Sequence, residues 1–396
     1  NFNTPALFKS FPPLVQSMLK LYRFGALRLS SGGNSLTCTL SAIPILKEGL
    51  AELEGFPLET KQYPEGGIAG GITLKGKPYA FWTGASSVYA VNLLSRESFA
   101  LETEGKPYIT TEKNGDTIVS LWIVTEKGSV YRTNEKLEPY SQFPVSTGYQ
   151  VSAFPVMAGK SCLVPSGNVL LSVDENGGIQ TFAEFSDKIR NMPAVDSSYI
   201  AIAPRSFDGE LYLYARSGSL QEGFPFVMNS LPATAPLIFR DDSSGRTIRL
   251  TAVQTGEIFA VDTEAKPARG FPLKLSAPVA LGPLWIDDWS AFVAYTEDDV
   301  LWKISSSGTV LGSMPLKFSG GKPRYMTVFN ADNKGRSELL ITISGNAVYA
   351  YDFSLFGVPG FPVAGSANAL FIDADGNGTK DIVTIGTDGG IHSYAY

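Results

Sequence analysis

A short hairpin phrase occurs eight times in this chain, and its spacing constrains the fold more than any other feature. Each copy places an aliphatic residue at the start of a strand, and a proline follows about 13 residues after its neighbour. The aliphatic residues are Val88, Val130, Ile179, Leu211, Ile258, Val300, Val348 and Ile391. Successive copies stand 42, 49, 32, 47, 42, 48 and 43 residues apart. Most of these steps are close to the roughly 40 to 45 residues of a four-stranded propeller blade.

The prolines support the same alignment independently of the hairpins. The spacing is 13 residues in Tyr131 to Pro144, Gln180 to Pro193, Tyr212 to Pro225, Phe259 to Pro272 and Tyr349 to Pro362. The eighth copy reaches the C-terminus at Tyr396 without a proline, whereas an unassigned Gly55-Phe56-Pro57-Leu58 lies before the first copy. We therefore expect the N-terminal segment to complete the last blade and close the ring. The 32-residue step predicts that one blade lacks a full inner strand or borrows one.

Composition favours an all-β protein over a helical solenoid. The 396 residues include 40 Gly and 25 Pro between short runs rich in Val, Ile, Tyr and Phe. We predict an eight-bladed β-propeller of four-stranded antiparallel blades over residues 51–396. Residues 1–50 are expected to form an N-terminal extension that packs on the ring. Helical periodicity there predicts one helix through Leu14, Met18 and Tyr22 and another from Pro44 to Leu53.

Charge and hydropathy exclude several classes of function. The net charge is −6, and no stretch concentrates Lys or Arg, so a nucleic-acid partner and an anionic membrane surface are not expected. No run of about 18 apolar residues exists to span a bilayer. The chain starts at Asn1 without a methionine or a secretory apolar segment, from which we expect that a targeting segment has been removed.

Three kinds of side chain are assigned structural roles. Cys38 and Cys162 are expected to be buried free thiols, with a disulfide as the alternative. The Phe residues before the repeated prolines should fill the wedges between blades. Among five Trp residues, only Trp289 follows a turn-like Asp287-Asp288 and is a candidate for an exposed, ligand-facing ring.

One loop has the composition of a metal site. Oxygen side chains occupy relative positions 1, 3, 5 and 9 of the segment that runs from Asp373 to Asp381. The predicted ligands are Asp373, Asp375, Asn377, the backbone carbonyl of Thr379, and Asp381. Ca²⁺ prefers several oxygen ligands with flexible geometry, so we predict one structural Ca²⁺ site in the last blade. Thr384 stands where an EF-hand has Glu, and the flanks are strands, which excludes a helix-loop-helix sensor.

Two other loops are degenerate versions of this segment. Residues 330–338 carry Lys334 where Asn377 stands, so an ammonium group could replace the ion there. Residues 240–248 carry Arg240 at the first ligand position, and we predict that this loop binds no metal.

The Asp-x-Asp-x-Asn-Gly-x-x-Asp loop, the following Gly-Gly-Ile-His-Ser-Tyr and the upstream Gly-Phe-Pro-Val resemble FG-GAP or VCBS repeats. Integrin α-subunit propellers use similar calcium hairpins. The strands Val88-Tyr89-Ala90-Val91 and Val348-Tyr349-Ala350-Tyr351 are also similar to PQQ-like repeats. That family includes the eight-bladed scaffold lipoproteins of outer-membrane protein assembly. Both resemblances imply an extracytoplasmic location, periplasmic or at the cell surface.

The inventory of reactive side chains argues against an enzyme. His392 is the only histidine, and it occupies a strand position that is Tyr in four other copies. The densest acidic region, Asp287-Asp288 with Glu297-Asp298-Asp299, leaves a carboxylate-only hydrolase open. We predict a non-enzymatic module that binds another protein. The alternative is a carbohydrate-binding or carbohydrate-active propeller, which requires exposed aromatic rings beside carboxylates on one face.

Overall fold

The computed structural model describes residues 22–32, 35–44, 49–60, 62–241, 245–330 and 337–396, the first two ranges by backbone alone. Near the N-terminus, β1 (Tyr22–Gly32) and β2 (Ser35–Pro44) form an antiparallel hairpin in which Leu29 pairs with Cys38. The predicted helix through Leu14 and Met18 lies outside the described residues. The helix predicted from Pro44 to Leu53 is wrong in its described part. Pro44 ends a strand, and Glu52 forms a β-bridge with Tyr394, because this segment completes a sheet.

The other described strands form six four-stranded antiparallel sheets and one eight-stranded sheet. A parallel pairing of Ile72 and Thr73 with Thr117 and Ile118 joins the two antiparallel halves of the larger sheet, and we divide it there into two four-stranded units. The resulting eight units are called blades 1 to 8. Blade 1 contains β4 (Ile68–Thr73), β5 (Pro78–Thr83), β6 (Ser87–Asn92) and β7 (Ser98–Glu102). Blade 2 contains β8 (Pro107–Asn114), β9 (Thr117–Thr125), β10 (Ser129–Thr133) and β11 (Val145–Ser146). Blade 3 contains β12 (Val156–Ala158), β13 (Ser161–Ser166), β14 (Val169–Val173) and β15 (Ile179–Glu184). Blade 4 contains β16 (Ala194–Val195), β17 (Tyr199–Ile202), β18 (Glu210–Ala215) and β19 (Phe226–Val227).

The second half of the chain repeats the same order. Blade 5 contains β20 (Leu237–Asp241), β21 (Arg246–Ala252), β22 (Glu257–Val261) and β23 (Leu273–Lys274). Blade 6 contains β24 (Val279–Ile286), β25 (Ala291–Thr296), β26 (Val300–Ser305) and β27 (Val310–Pro315). Blade 7 contains β28 (Pro323–Asn330), β29 (Ser337–Ile343), β30 (Ala347–Tyr351) and β31 (Val363–Ala364). Blade 8 contains β32 (Leu370–Ile372), β33 (Asp381–Ile385), β34 (Gly390–Tyr394) and, from the N-terminal side, β3 (Leu58–Glu59). A three-residue 3-10 helix, Asp287–Trp289, lies in blade 6.

The N-terminal segment closes the ring as the sequence predicts. Leu58 pairs with Ile391 on the outer edge of β34, so the fourth strand of blade 8 precedes its other three by some 300 residues of chain. Five blades, including this one, build the outer strand in the same way. An isolated bridge residue lies five positions before the proline of a cis Phe-Pro bond. The two residues after that proline pair with the third strand of the blade. The bridge residues and prolines are Glu52 and Pro57, Pro139 and Pro144, Leu220 and Pro225, Pro267 and Pro272, and Gly357 and Pro362.

The third hairpin of the sequence alignment is misassigned. Ile179 begins β15, the outer strand of blade 3, whereas the third strand is β14. Leu170, fully buried in β14, is the equivalent of Val130 and Leu211 and stands 40 and 41 residues from them. Blade 3 therefore has all four strands, and the short step in the alignment does not mark a missing strand. The same shift explains why Pro193 directly precedes the first strand of blade 4 rather than lying in an outer strand.

Each pair of neighbouring blades shares one apolar core. The described residues form eight such clusters, one of which joins Trp82 and Val91 of blade 1 to Val383 and Ile391 of blade 8. The Phe residues of the repeated Phe-Pro pairs lie in these cores, as predicted. Trp122, for example, contacts Phe143 edge-on at 5.5 Å between their ring centroids. Burial of such rings at roughly 1.5–3 kcal/mol each holds the blades together.

None of the described helices is long and apolar enough to cross a bilayer.

The junction between the last and first blades supplies a test of ring closure. The side-chain Oδ1 of Asn368 accepts a hydrogen bond from the Ile68 amide at 3.0 Å, and its Nδ2 donates to the Ile68 carbonyl at 2.7 Å. Asn368→Ala leaves both backbone groups of the buried Ile68 without these partners. We expect a loss of about 2 kcal/mol in the free energy of unfolding, measured by thermal or urea denaturation.

The matched control is Asn176→Ala. Asn176 is exposed in a turn of blade 3, far from the closure in the sequence, so this change should move stability by less than about 0.5 kcal/mol. Equal effects of the two substitutions would show that the closing contacts are not a special source of stability.

Candidate functional site

The topology assigns every loop to one of two faces. Because consecutive strands of a blade are antiparallel, loops after the first and third strands emerge on one side, which we call the back face. Loops after the second and fourth strands emerge on the opposite side, the front face. The predicted metal loop, residues 373–380, follows the first strand of blade 8 and therefore lies on the back face.

Three of the predicted metal ligands converge. One carboxylate oxygen from each of Asp373, Asp375 and Asp381 lies within 4.8 Å of the other two. Asp381 begins β33 and is only 1% exposed, whereas Asp375 is exposed at the tip of the loop. The strand thus holds one carboxylate inside the blade, and the loop folds the other two over it.

Backbone amides keep this loop folded. The two carboxylate oxygens of Asp373 accept hydrogen bonds from the amides of Gly376 at 2.7 Å and Gly378 at 2.9 Å. Both glycines have positive φ, 80° and 89°, which side-chain-bearing residues rarely adopt. Gly376 and Gly378 therefore allow the sharp reversal of the chain in this loop.

The electrostatics of the cluster are unfavourable to three ionised carboxylates. Burial raises the pKa of Asp381 from 3.8 to about 6, and repulsion by Asp375 and Asp373 adds to this effect. A hydrogen bond from the Ala374 amide, at 2.9 Å to Oδ2, works in the opposite direction. A cation bound between the three oxygens would relieve both the desolvation and the repulsion.

The other two predicted ligands are engaged within the loop. The amide group of Asn377 donates to Asp375 at 3.0 Å, and its Oδ1 accepts a hydrogen bond from the Thr379 amide at 2.7 Å. These contacts place Asn377 beside the carboxylates, and its oxygen would have to leave Thr379 to bind an ion. In the degenerate loops, residues 331–336 and 242–244 lie outside the description, so the predictions for Lys334 and the 240–248 loop stay predictions.

Trp289 is not an exposed ligand platform. It is 5% exposed, and its indole nitrogen donates to the carbonyl of Ser337 at 3.0 Å. The sequence prediction is therefore wrong, because the short helix turns the ring into the core between blades 6 and 7.

The acidic region does not assemble into one site. Asp287 and Asp288 lie before β25 on the back face, whereas Glu297, Asp298 and Asp299 follow it on the front face. Asp298 and Asp299 accept hydrogen bonds from Thr296 and Tyr295 within their own hairpin. Since the two groups occupy opposite ends of one strand, they cannot act together as a hydrolase pair.

The single histidine lies beside a carboxylate, and the described cysteine side chain is buried. His392 Nδ1 lies 2.7 Å from a carboxylate oxygen of Glu52, across the closure of blade 8. Cys162 is a fully buried free thiol in blade 3, as predicted, and burial raises its pKa. The side chain of Cys38 is outside the description.

A cavity on the front face escaped the sequence analysis. It has a volume of about 570 Å³ and lies among front-face loops of blades 3 to 6. Its lining includes the charged residues Arg190, Arg205 and Glu297, with small apolar residues such as Pro232 and Val279. These residues come from separate blades and share no motif, so no sequence pattern could have brought them together.

Comparison with known proteins identifies the architecture. No protein-family model and no curated protein sequence matches the chain. BamB from Moraxella catarrhalis is 13% identical at a TM-score of 0.57, the match covering 88% of this chain and 100% of that one. BBS1N in complex with ARL6DN is 11% identical at 0.54, covering 88% and 98%. The dihydro-heme d1 dehydrogenase NirN, in complex with DHE, is 15% identical at 0.58, covering 75% and 66%.

At these identities the likeness shows the fold alone. The chain is a β-propeller, which confirms the predicted fold class. The BamB match agrees with the similarity to PQQ-like propellers at the level of architecture. The resemblance to FG-GAP or VCBS repeats stays a prediction.

The strained cluster yields a prediction for the metal-free protein. Asp381→Asn keeps an oxygen acceptor for Ala374 but removes a buried negative charge. Near neutral pH, above both 3.8 and the raised value of about 6, the Asp381 carboxylate is ionised in the folded and unfolded states. The folded state alone bears the desolvation and the repulsion of this charge, so the variant should unfold at a higher temperature in a chelator. We expect about 1 kcal/mol after allowing for solvent screening.

Asp388→Asn is the matched control. Asp388 lies in a turn of the same blade, where its Oδ1 accepts a hydrogen bond from the Gly390 amide at 3.0 Å. It does not belong to the cluster, so its neutralisation should not stabilise the chain. A lower midpoint for Asp381→Asn in chelator would contradict the proposed repulsion.

Proposed function

We propose that the protein is a non-enzymatic propeller that binds another protein outside the cytoplasm and carries one structural Ca²⁺ in blade 8. The observation that carries the protein-binding part is the placement of the reactive side chains. The only histidine pairs with Glu52, the described cysteine is buried, and the acidic region is divided between two faces. Among the described residues, neither the histidine nor the cysteine is therefore paired as a nucleophile with a base.

The fold alone does not choose between binding and catalysis, since NirN is a dehydrogenase and BBS1N is found in a protein complex. Closed rings of small sheets present loops on a rigid frame, and such frames suit recognition of another protein. The extracytoplasmic location rests on the resemblance to exported repeat families. The tryptophans do not favour carbohydrate recognition. Trp82, Trp122 and Trp289 are buried in blade interfaces, and the half-buried Trp285 and Trp302 pack against the core between blades 5 and 6.

The calcium proposal rests on the geometry of the three carboxylates. Asp373, Asp375 and Asp381 supply three negative charges and several oxygens within reach of one ion, and hard divalent cations prefer such ligands. Asn377 and the carbonyl of Thr379 would complete the shell after a small rearrangement of the loop. In this position the ion would stiffen a hairpin of the closing blade without contacting any substrate.

Calcium should stabilise the protein through these residues. Because binding to the folded state alone raises stability by mass action, Ca²⁺ at about 100 times its Kd should add ~2.7 kcal/mol. The double variant Asp373→Asn, Asp375→Asn removes two charges and keeps one acceptor oxygen at each position, although Asp373 accepts from two glycine amides and loses one of these hydrogen bonds. We expect it to lose most of the calcium-dependent rise in melting temperature. In chelator the relieved repulsion on Asp381 and the lost hydrogen bond at residue 373 oppose each other, so the midpoint should change little.

Asp388→Asn again serves as the control and should retain the full calcium response. Isothermal titration calorimetry would check the stoichiometry of one ion per chain. A double variant that responds to calcium as the unmodified protein does would rule out this site.

The protein-binding role predicts a stoichiometric complex. The intact chain, immobilised under native conditions, should enrich a protein from its source that re-forms a complex after both components are purified. An unrelated propeller of similar size is the control for binding to the fold in general. Absence of any reconstituted complex, or turnover of a small molecule by the purified chain, would contradict the proposal.

A further inference from the structure

We propose that the front-face cavity is the docking site for an acidic segment of a partner protein, with its carboxylates held by Arg190 and Arg205. This inference rests on the proposed protein-binding function and assigns it a place and a chemistry.

The charged side chains of the cavity are exposed and available to a ligand. Arg190, Arg205 and Glu297 are exposed at the rim of the cavity, and the contacts of the described residues include no hydrogen bond or ion pair from their side chains. Two arginines against one glutamate give the lining a net positive charge on a chain whose overall charge is −6, although Asp298 and Asp299 follow Glu297 on the same face. An anionic ligand would therefore meet a positively charged cavity lining on a chain that is negative overall. Guanidinium groups bind carboxylates through paired hydrogen bonds, which gives both affinity and orientation.

Backbone hydrogen bonds hold the loops that form the cavity walls. The amide of Arg205 donates to the Lys188 carbonyl at 2.8 Å, which ties a loop of blade 4 to the preceding loop of blade 3. The amides of Gln254 and Glu297 likewise donate to the carbonyls of Leu231 and Pro278, each at 2.9 Å. Because these loops are held by backbone hydrogen bonds, the rim groups are positioned before a ligand arrives, which lowers the entropic cost of binding.

Two exposed apolar side chains follow residues of the cavity lining in the sequence. Met192 and Phe207 follow the lining residues Asn191 and Arg205 closely in sequence and are 43% and 85% exposed. A single free carboxylate or phosphate would leave these apolar side chains in water, whereas a peptide segment could cover them. The volume of about 570 Å³ suits a few side chains. The favoured occupant is thus an acidic segment that also carries bulky apolar residues.

A defined peptide tests the chemistry directly. The probe is a short fluorescein-labelled peptide in which glutamates flank a Phe and a Leu, compared with the same peptide carrying Gln in place of Glu. Fluorescence anisotropy should show binding of the acidic peptide and at least about tenfold weaker binding of the neutral one. Binding should also weaken as salt is raised, because the contact is between charges.

Paired charge reversals locate the site. Arg190→Glu with Arg205→Glu should abolish binding of the acidic peptide. Arg240→Glu with Arg269→Glu makes the same charge change at two exposed arginines of the back face and should leave binding within about twofold. Thermal midpoints would show that both variants fold. If the charge-reversal variant does not fold, the milder pair Arg190→Gln, Arg205→Gln takes its place and should lose at least about tenfold in affinity.

Three results would overturn the docking site. In the first, the unmodified chain fails to bind the acidic peptide, and in the second, the Arg190→Glu, Arg205→Glu variant binds it equally well. In the third, glutamate or inorganic phosphate displaces the peptide completely at comparable concentrations. A purified partner retained by the Arg190→Glu, Arg205→Glu variant would also overturn this site while leaving the proposed protein-binding function intact.

Discussion

The structure depends on one pairing between the two ends of the described propeller. β3 lies along β34, with Leu58 opposite Ile391, and Glu52 bridges Tyr394 further along the same edge. Without this strand, blade 8 would expose the backbone edge of β34 and could not complete its apolar core with blade 1. A ring whose last interface is open would let neighbouring blades separate in turn, since each blade is held mainly by its two neighbours.

Packing between blades follows from the same closure. Every described interface buries an aromatic or large aliphatic cluster, such as the stacked Phe239 and Trp285 rings between blades 5 and 6, 4.3 Å apart. Strands within a blade alternate their side chains between the two neighbouring cores, so each blade is apolar on both sides and polar at its loops. The result is a frame in which chemistry is confined to the two loop faces.

The two candidate sites lie on opposite faces and differ in charge. On the back face, Asp373, Asp375 and Asp381 converge, and the pKa of Asp381 is raised first by burial and then by repulsion from its two neighbours. On the front face, Arg190 and Arg205 border a cavity whose lining also includes small apolar residues. A cation on one side and an acidic partner on the other would therefore engage opposite surfaces. The structural metal would stiffen the closing blade without competing for the docking surface.

Repeat spacing and the turn chemistry of Gly-Phe-Pro are local properties, so the sequence alone determined the fold class and the closing strand. The spacing of oxygen side chains at 373–381 likewise identified the loop whose three carboxylates converge. Local patterns failed where two strands of one blade look alike, as with Ile179 and Leu170, and where a turn buries a ring, as with Trp289. Only the tertiary structure decided which loops share a face. It alone brought Arg190, Arg205 and Glu297 together, because residues separated by whole blades meet through ring closure rather than through any pattern along the chain.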